Sequence, residues 1–199
     1  MAPKFLRSKI TVFLIIFLIF IGAMVTYSIV NRPSAPVTSA TRVLLETSMG
    51  NITIELFNDM PITTGNFVNL TEYGIYDNTI FHRVVSNFVV QGGDPTGTGH
   101  GDPSIQTIRD ELPNKHSNVI GAVAMAKTSS STGGVVPNSA SSQFYINLVD
   151  NSATLDSDYP VFGQVVAGME TLAAIGTVQV DSNDRPLTPV TLIRAIVLE

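Results

Sequence analysis

An uncharged run of 21 residues, ITVFLIIFLIFIGAMVTYSIV at positions 10–30, divides this chain into two unlike parts. A helix rises 1.5 Å per residue, so about 20 apolar residues span the roughly 30 Å hydrocarbon core of a bilayer. A cleaved signal peptide carries a shorter apolar core of about 7–15 residues. No small-x-small cleavage site closes this stretch. Residues 10–30 therefore predict an uncleaved, single-pass transmembrane signal-anchor; a cleaved signal and a buried core helix are the alternatives. Lys4, Arg7 and Lys9 precede the run and only Arg32 follows it closely. That asymmetry places residues 1–9 in the cytoplasm and the remainder on the extracytoplasmic side, periplasmic or lumenal. Cleavage would instead release a secreted domain.

Outside this region the balance of charge turns acidic. The whole chain carries a formal charge of −5; without Lys4, Arg7, Lys9 and Arg32, seven basic residues face sixteen acidic ones, a net −9. Nucleic-acid binding needs clustered basic side chains to displace counterions, so that class is excluded. An acidic domain is equally unsuited to lying flat on an anionic membrane. Cysteine is absent, which removes disulfides and thiol chemistry and leaves the core as the only source of stability. Residues 31–41, NRPSAPVTSAT, read as an extended tether, and the folded domain is expected at 42–199.

Within that domain, short apolar segments recur between turn residues. VLLET and NITIELF alternate apolar and polar positions around Ser48-Met49-Gly50-Asn51, which predicts a hairpin. Asp59-Met60-Pro61 opens a helix with Phe67, Val68 and Leu70 on its buried side. FHRVV, NFVVQGG, VIGAVAMA, SQFYINLV, YPVFGQVV and VTLIRAIVLE predict six further strands, and GMETLAAIG a second helix ended by Gly176. Many short strands with few helices indicate a mainly β domain, an antiparallel barrel or sandwich.

The motifs with chemical potential are few. GGDPTGTGHG lacks the lysine and hydroxyl of a phosphate-binding loop and reads as a turn. His82, His100 and His116 have no ligand spacing, so no metal is expected, and no cofactor either. The serines of KTSSSTGGVVPNSASSQ form no nucleophile elbow. Arg83 stands apart, because strand periodicity puts it on one face with Phe81 and Val85, opposite His82 and Val84. A cation among apolar neighbours is either a snorkelling surface residue or one held for a purpose. Alone, these residues leave a site and an ordinary core equally open.

Taken in order, FHRVV-x2-F-x2-QGGD, GTG, VAMAK, SSQFYINL and LD-x2-YPVFGQVVAGM resemble the cyclophilin-type peptidyl-prolyl cis–trans isomerases across residues 42–199, with details closer to prokaryotic members. The resemblance implies a closed eight-stranded antiparallel β-barrel capped by two α-helices. It implies rotation of X–Pro bonds in proline-containing polypeptides; with the anchor read from residues 10–30, the expectation is a membrane-bound monomer assisting exported or membrane-associated proteins. A non-catalytic proline-binding module or scaffold is the alternative.

Position by position, the resemblance makes Arg83 catalytic, with Gln91 beside it. Phe88, Val89, Tyr145 and Leu155 line the proline pocket. Gly97, Ala126, Lys127, Thr128 and Gln143 form the groove for the substrate backbone, and Tyr159 stands where many members have histidine. Lys127 replaces a frequent asparagine, Tyr145 a commoner phenylalanine and Val89 a methionine. Thr154 stands in place of a tryptophan, and weak cyclosporin binding is expected. Such residue types suffice because bond rotation breaks no covalent bond: the barrier of roughly 18–20 kcal/mol falls if a donor meets the twisted prolyl nitrogen.

Overall fold

The computed structural model of the chain describes residues 41–198. The expected cytoplasmic N-terminus, anchor and nearly all of the tether lie outside the described residues. Among the described residues, no helix is long and apolar enough to cross a membrane.

The nine strands of the described residues are β1 (Arg42–Thr47), β2 (Gly50–Leu56), β3 (Thr79–Ile80), β4 (Arg83–Val85), β5 (Val89–Gly92), β6 (Ala122–Met125), β7 (Phe144–Asn147), β8 (Val161–Ala167) and β9 (Thr191–Leu198). They form one antiparallel sheet in the order β3-β9-β1-β2-β8-β6-β7-β5-β4. Its two end strands are consecutive in sequence. Thr79 and Ile80 pair with β9, while residues 83–85 pair with β5, so the sheet curls until one segment joins its ends. The third expected strand, FHRVV, is thus shortened to residues 83–85, with the two-residue β3 added before it. Phe81 and His82 lie in neither strand, and β3 is the ninth of the count.

The break also corrects the strand periodicity. Phe81 packs with Val84 in the main core, while Arg83 and Val85 are only partly buried. Alternation requires continuous pleating, and the unpaired residues between β3 and β4 reset it.

Among the described residues three helices accompany the sheet: α1 (Pro61–Glu72), α2 (Ser152–Leu155) and α3 (Met169–Ile175). Helices α1 and α3 are the two expected ones; the single turn of α2 has too few residues to show a period. Pro61 occupies the first turn of α1, where a missing N–H costs nothing. The other amide donors of that turn are met from afar, as the Glu111 carboxylate accepts from Ile62 N (3.1 Å), Thr63 N (2.8 Å) and Thr63 Oγ1 (2.7 Å). Phe67 drives α1 into the sheet, its ring 5.0 Å from Tyr76 and Phe162 and 5.3 Å from Phe144. Each such side chain removed from water contributes about 1.5–3 kcal/mol.

Strands β1 and β2 bury alternate residues: Val43 and Leu45, then Ile52, Ile54 and Leu56. By contrast, β6 and β7 are buried at every position. Val123, Met125, Phe144 and Ile146 face the main core, while Ala122, Ala124 and Tyr145 join Val89 and Val161 in a second apolar cluster. Phe88, Ala126, Leu155 and Tyr159 pack against this second cluster. The outer face of β5, β6 and β7 is therefore also apolar, and the candidate site stands on it.

Candidate functional site

Strand register builds the site. Arg83 on β4 pairs with Gln91 on β5, Gln91 with Tyr145 on β7, and Tyr145 with Ala124 on β6. Residues paired across an antiparallel sheet share a face, with strands about 4.8 Å apart. Four consecutive strands thus lay down one row: a cation, an amide, an aromatic ring and a methyl group.

A cavity of about 580 Å³ opens over the first three members of this row, Arg83, Gln91 and Tyr145. Eleven expected residues line it: Arg83, Phe88, Val89, Gln91, Ala126, Lys127, Thr128, Gln143, Tyr145, Leu155 and Tyr159. Gly97 is the exception and does not line the cavity. Its carbonyl accepts a hydrogen bond from Arg185 Nη1 at 2.9 Å, and Gly99 and Gly101 take the lining positions instead. The whole turn hangs on Asp94, which is fully buried and accepts from the amides of Thr96 (2.9 Å), Gly99 (2.7 Å) and Gly101 (3.2 Å). Burial pushes the Asp94 carboxyl up, but the Thr96 side chain and these amides outweigh it and hold it below its ordinary value. The preceding Gly93 has φ +80°, and a Cβ there would lie 2.7 Å from the Ser142 carbonyl, so no other residue fits.

Arg83 is held from outside the expected set. Its Nε lies 3.6 Å from Asp184 Oδ2, and its Cζ lies 6.0 Å from the centre of the Phe88 ring. The Asp184 carbonyl accepts from Val84 N at 2.8 Å, which fixes that loop beside β4. The run Asp181-Ser182-Asn183-Asp184 carries turn residues, yet nothing in it announces a partner a hundred positions upstream. Gln91, expected beside Arg83, bonds elsewhere. Its Nε2 donates to Gln143 Oε1 (3.0 Å), and Gln143 Nε2 donates to the Gly99 carbonyl (3.1 Å). Both glutamines are thereby fixed as a pair across the groove floor.

Lys127 lines the groove with its side chain turned into the fold. Only 2% of its side chain is exposed, and its ammonium donates to Asp110 Oδ2 (2.6 Å) and to the Asp158 carbonyl (2.8 Å). The backbone borders the groove while the charge is spent inward. Thr128 N donates to Ser139 Oγ at 2.9 Å, tying the next residue to the serine-rich loop. Ser139 and Ser141, from the serine-rich run that forms no nucleophile elbow, also line the cavity.

The aromatic wall is ordered by contact. Tyr145 and Tyr159 meet edge to face with centroids 5.8 Å apart, and the Tyr145 hydroxyl donates to Asn118 Oδ1 at 2.7 Å. Burial, reinforced by Tyr159 and Asp156, drives the Tyr145 phenol far above its ordinary value, so it stays a neutral donor. Among the described residues there is no group of His, Cys, Asp or Glu side chains placed to hold a metal.

Residues 42–197 match the family model described as cyclophilin type peptidyl-prolyl cis-trans isomerase. The chain belongs to the cyclophilin family. Its similar relatives include peptidyl-prolyl cis-trans isomerase-like 1 of Aspergillus fumigatus, 42% identical over 164 residues, covering 80% of this chain and 97% of that one. The isomerase CYP18-2 of Arabidopsis thaliana is 41% identical over 167 residues, 82% of this chain and 98% of that one. A solved cyclophilin-type isomerase from Cryptosporidium parvum superimposes with a TM-score of 0.73 at 29% identity, covering 81% of this chain and 99% of its own. A second structure of that protein was solved in the presence of the dipeptide Ala-Pro; its TM-score is 0.72 at 31% identity, with 79% and 99% covered. These relatives are eukaryotic, and the expected likeness to prokaryotic members finds no support among them. The chain is a cyclophilin-family peptidyl-prolyl isomerase.

Proposed function

We propose that Arg83 is the catalytic residue and that the surrounding cavity clamps the prolyl ring. The observation that carries this reading is the row Arg83–Gln91–Tyr145 facing one cavity. Twisting an X–Pro amide removes the overlap between nitrogen lone pair and carbonyl, so the nitrogen becomes a better acceptor as the barrier is climbed. A guanidinium stays charged and offers donors in a rigid fork, and one aimed at that nitrogen favours the twisted amide over either planar form. Phe88, Val89, Tyr145, Leu155 and Tyr159 supply apolar surface for the pyrrolidine. Water excluded by that surface leaves the donor's effect less screened.

Gln91 and Gln143, fixed on each other, present their remaining amide groups to the substrate backbone beside Ala126. Thr128 borders the same groove, and Lys127 contributes its backbone. Asp184 keeps the Arg83 guanidinium over Phe88 when no substrate is bound. The substrates are proline-containing polypeptides, and the working unit is a monomer.

Residues 10–30 anchor the enzyme with its domain on the extracytoplasmic side, where it serves exported or membrane-associated clients. The length of the apolar run and the basic residues before it support this placement. Isomerisation of an X–Pro peptide by the enzyme and by Arg83→Ala tests the catalytic reading: the variant loses turnover, and equal kcat/KM would overturn it. Mass measurement of the mature N-terminus, with cell fractionation, tests the anchor. A soluble product starting after residue 30 would refute it.

A further inference from the structure

One buried asparagine outside the cavity ties three of its walls, two through its side chain and one through its backbone. Asn118 is fully inaccessible and does not line the cavity. Its Oδ1 accepts from the Tyr145 hydroxyl (2.7 Å) and from Asn147 Nδ2 (3.2 Å). Its Nδ2 donates to Asp156 Oδ1 (2.9 Å) and, more weakly, to the Tyr159 carbonyl (3.4 Å). Its backbone N–H donates to the same Asp156 oxygen (2.7 Å), and its carbonyl accepts from Asn151 N (2.8 Å). Asn151 in turn accepts from Leu155 N at 3.0 Å. Tyr145 and Tyr159 therefore return to one side chain, Leu155 reaches the same residue's backbone carbonyl through Asn151, and every polar group of Asn118 is used.

We infer that Asn118 is a positioning residue for the isomerase, setting the shape of the cavity through the Tyr145 hydroxyl and the Asp156 carboxylate. This rests on the reading of that cavity as the prolyl site. A ring held only by apolar contacts can tilt at small cost. The Tyr145 ring is pinned at its far end by a bond to a group that is itself pinned by a carboxylate, and its edge-to-face contact with Tyr159 depends on that tilt. Breaking one member strands the others in a dry interior, so the network acts as a unit. The departure from phenylalanine at position 145 thus has a physical counterpart at position 118, built by a loop far away in sequence.

The test is a double-mutant cycle in the full-length enzyme, reading KM and kcat for an X–Pro peptide below the melting temperature of every variant. Asn118→Ala is expected to lower kcat/KM about tenfold, mostly through KM, the loss of about 1.4 kcal/mol of pocket organisation. Tyr145→Phe lowers it about threefold. The double variant is expected to match Asn118→Ala alone, at about tenfold, because the bond is already gone. Independent effects multiplying to about thirtyfold would overturn the inference, as would an unchanged KM in Asn118→Ala. Should Asn118→Ala fail to fold, Asp156→Ala with and without Tyr145→Phe reads the same coupling. Normal activity in Arg83→Ala would instead overturn the reading of the cavity itself, whatever the cycle gives.

Discussion

Lys127→Ala offers a sharp test of how the groove is built, because the structure spends that charge on the fold. The ammonium makes two hydrogen bonds, at 2.6 Å to Asp110 Oδ2 and 2.8 Å to the Asp158 carbonyl. The side chains of Lys127 and Asp110 are 2% and 9% exposed. Truncation leaves Asp110 with one bond, from Asn138 N at 2.9 Å, since its Oδ1 has no hydrogen-bond partner among the described residues. Breaking a buried pair by deleting one member costs about 3–5 kcal/mol, mostly from the stranded charge. Lys127 borders the cavity, so water entering the vacated space brings the expected cost to about 3 kcal/mol. For a domain of this size that lowers the melting temperature by about 6–12 °C. Thermal and urea unfolding followed by circular dichroism give the number. Lys127→Ala combined with Asp110→Ala removes both charges and is expected to recover more than half of the loss. A single-variant cost under about 1 kcal/mol, the range of a surface ion pair, would refute the reasoning. So would strict additivity in the double variant.

Acid should destabilise the domain in two stages. Burial lowers the His82 pKa below 6.5 against a partial opposing pull from Asp94, and the hydrogen bonds to Asp94 hold that carboxyl below 3.8. Both folded values are depressed, so the unfolded chain takes up protons first. Stability from His82 is complete above pH 6.5 and lost on falling below it; that from Asp94 is lost below pH 3.8. Melting temperature against pH, compared between the parent and His82→Gln, should show the upper stage only in the parent; identical slopes between pH 7 and 5 would contradict this. Cyclosporin should inhibit no better than micromolar, since Thr154 is exposed on α2, bonds to the Asn151 carbonyl at 3.1 Å and does not line the cavity. A titration of the purified enzyme reaching nanomolar inhibition would contradict that expectation.

How much of the molecule was legible in its sequence follows from the range of the interactions. Segments whose periodicity is local were legible: the hairpin at Ser48-Met49, helix α1 from Pro61, and helix α3 ending before Gly176. Continuous apolar runs such as AVAM and FYIN were legible as strands, but not the reason for their double burial, which needs a second cluster outside the sheet. Two-residue β3 has no period to read, and its break from β4 moved Phe81 to the other side. The lining residues came from motif resemblance and largely gathered around one cavity. Their supports did not announce themselves. Asp184, Asp110 and Asn118 act across separations of 101, 17 and 27 residues, through single hydrogen bonds or ion pairs that leave no pattern in composition. Lys127 shows the limit most plainly, because the same residue type serves a groove or a core according to a carboxylate elsewhere.

The central claim is that Arg83 lowers the rotational barrier while the apolar clamp supplies binding. Nuclear magnetic resonance of an X–Pro peptide reports both at once: shift perturbations give affinity, and exchange between cis and trans signals gives the catalysed rate. In Arg83→Ala, affinity should stay within about threefold, while exchange at saturation falls by about 30–150-fold, the loss of one well-aimed charged donor worth roughly 2–3 kcal/mol. Exchange at the parent rate, with the peptide still bound, would contradict the account.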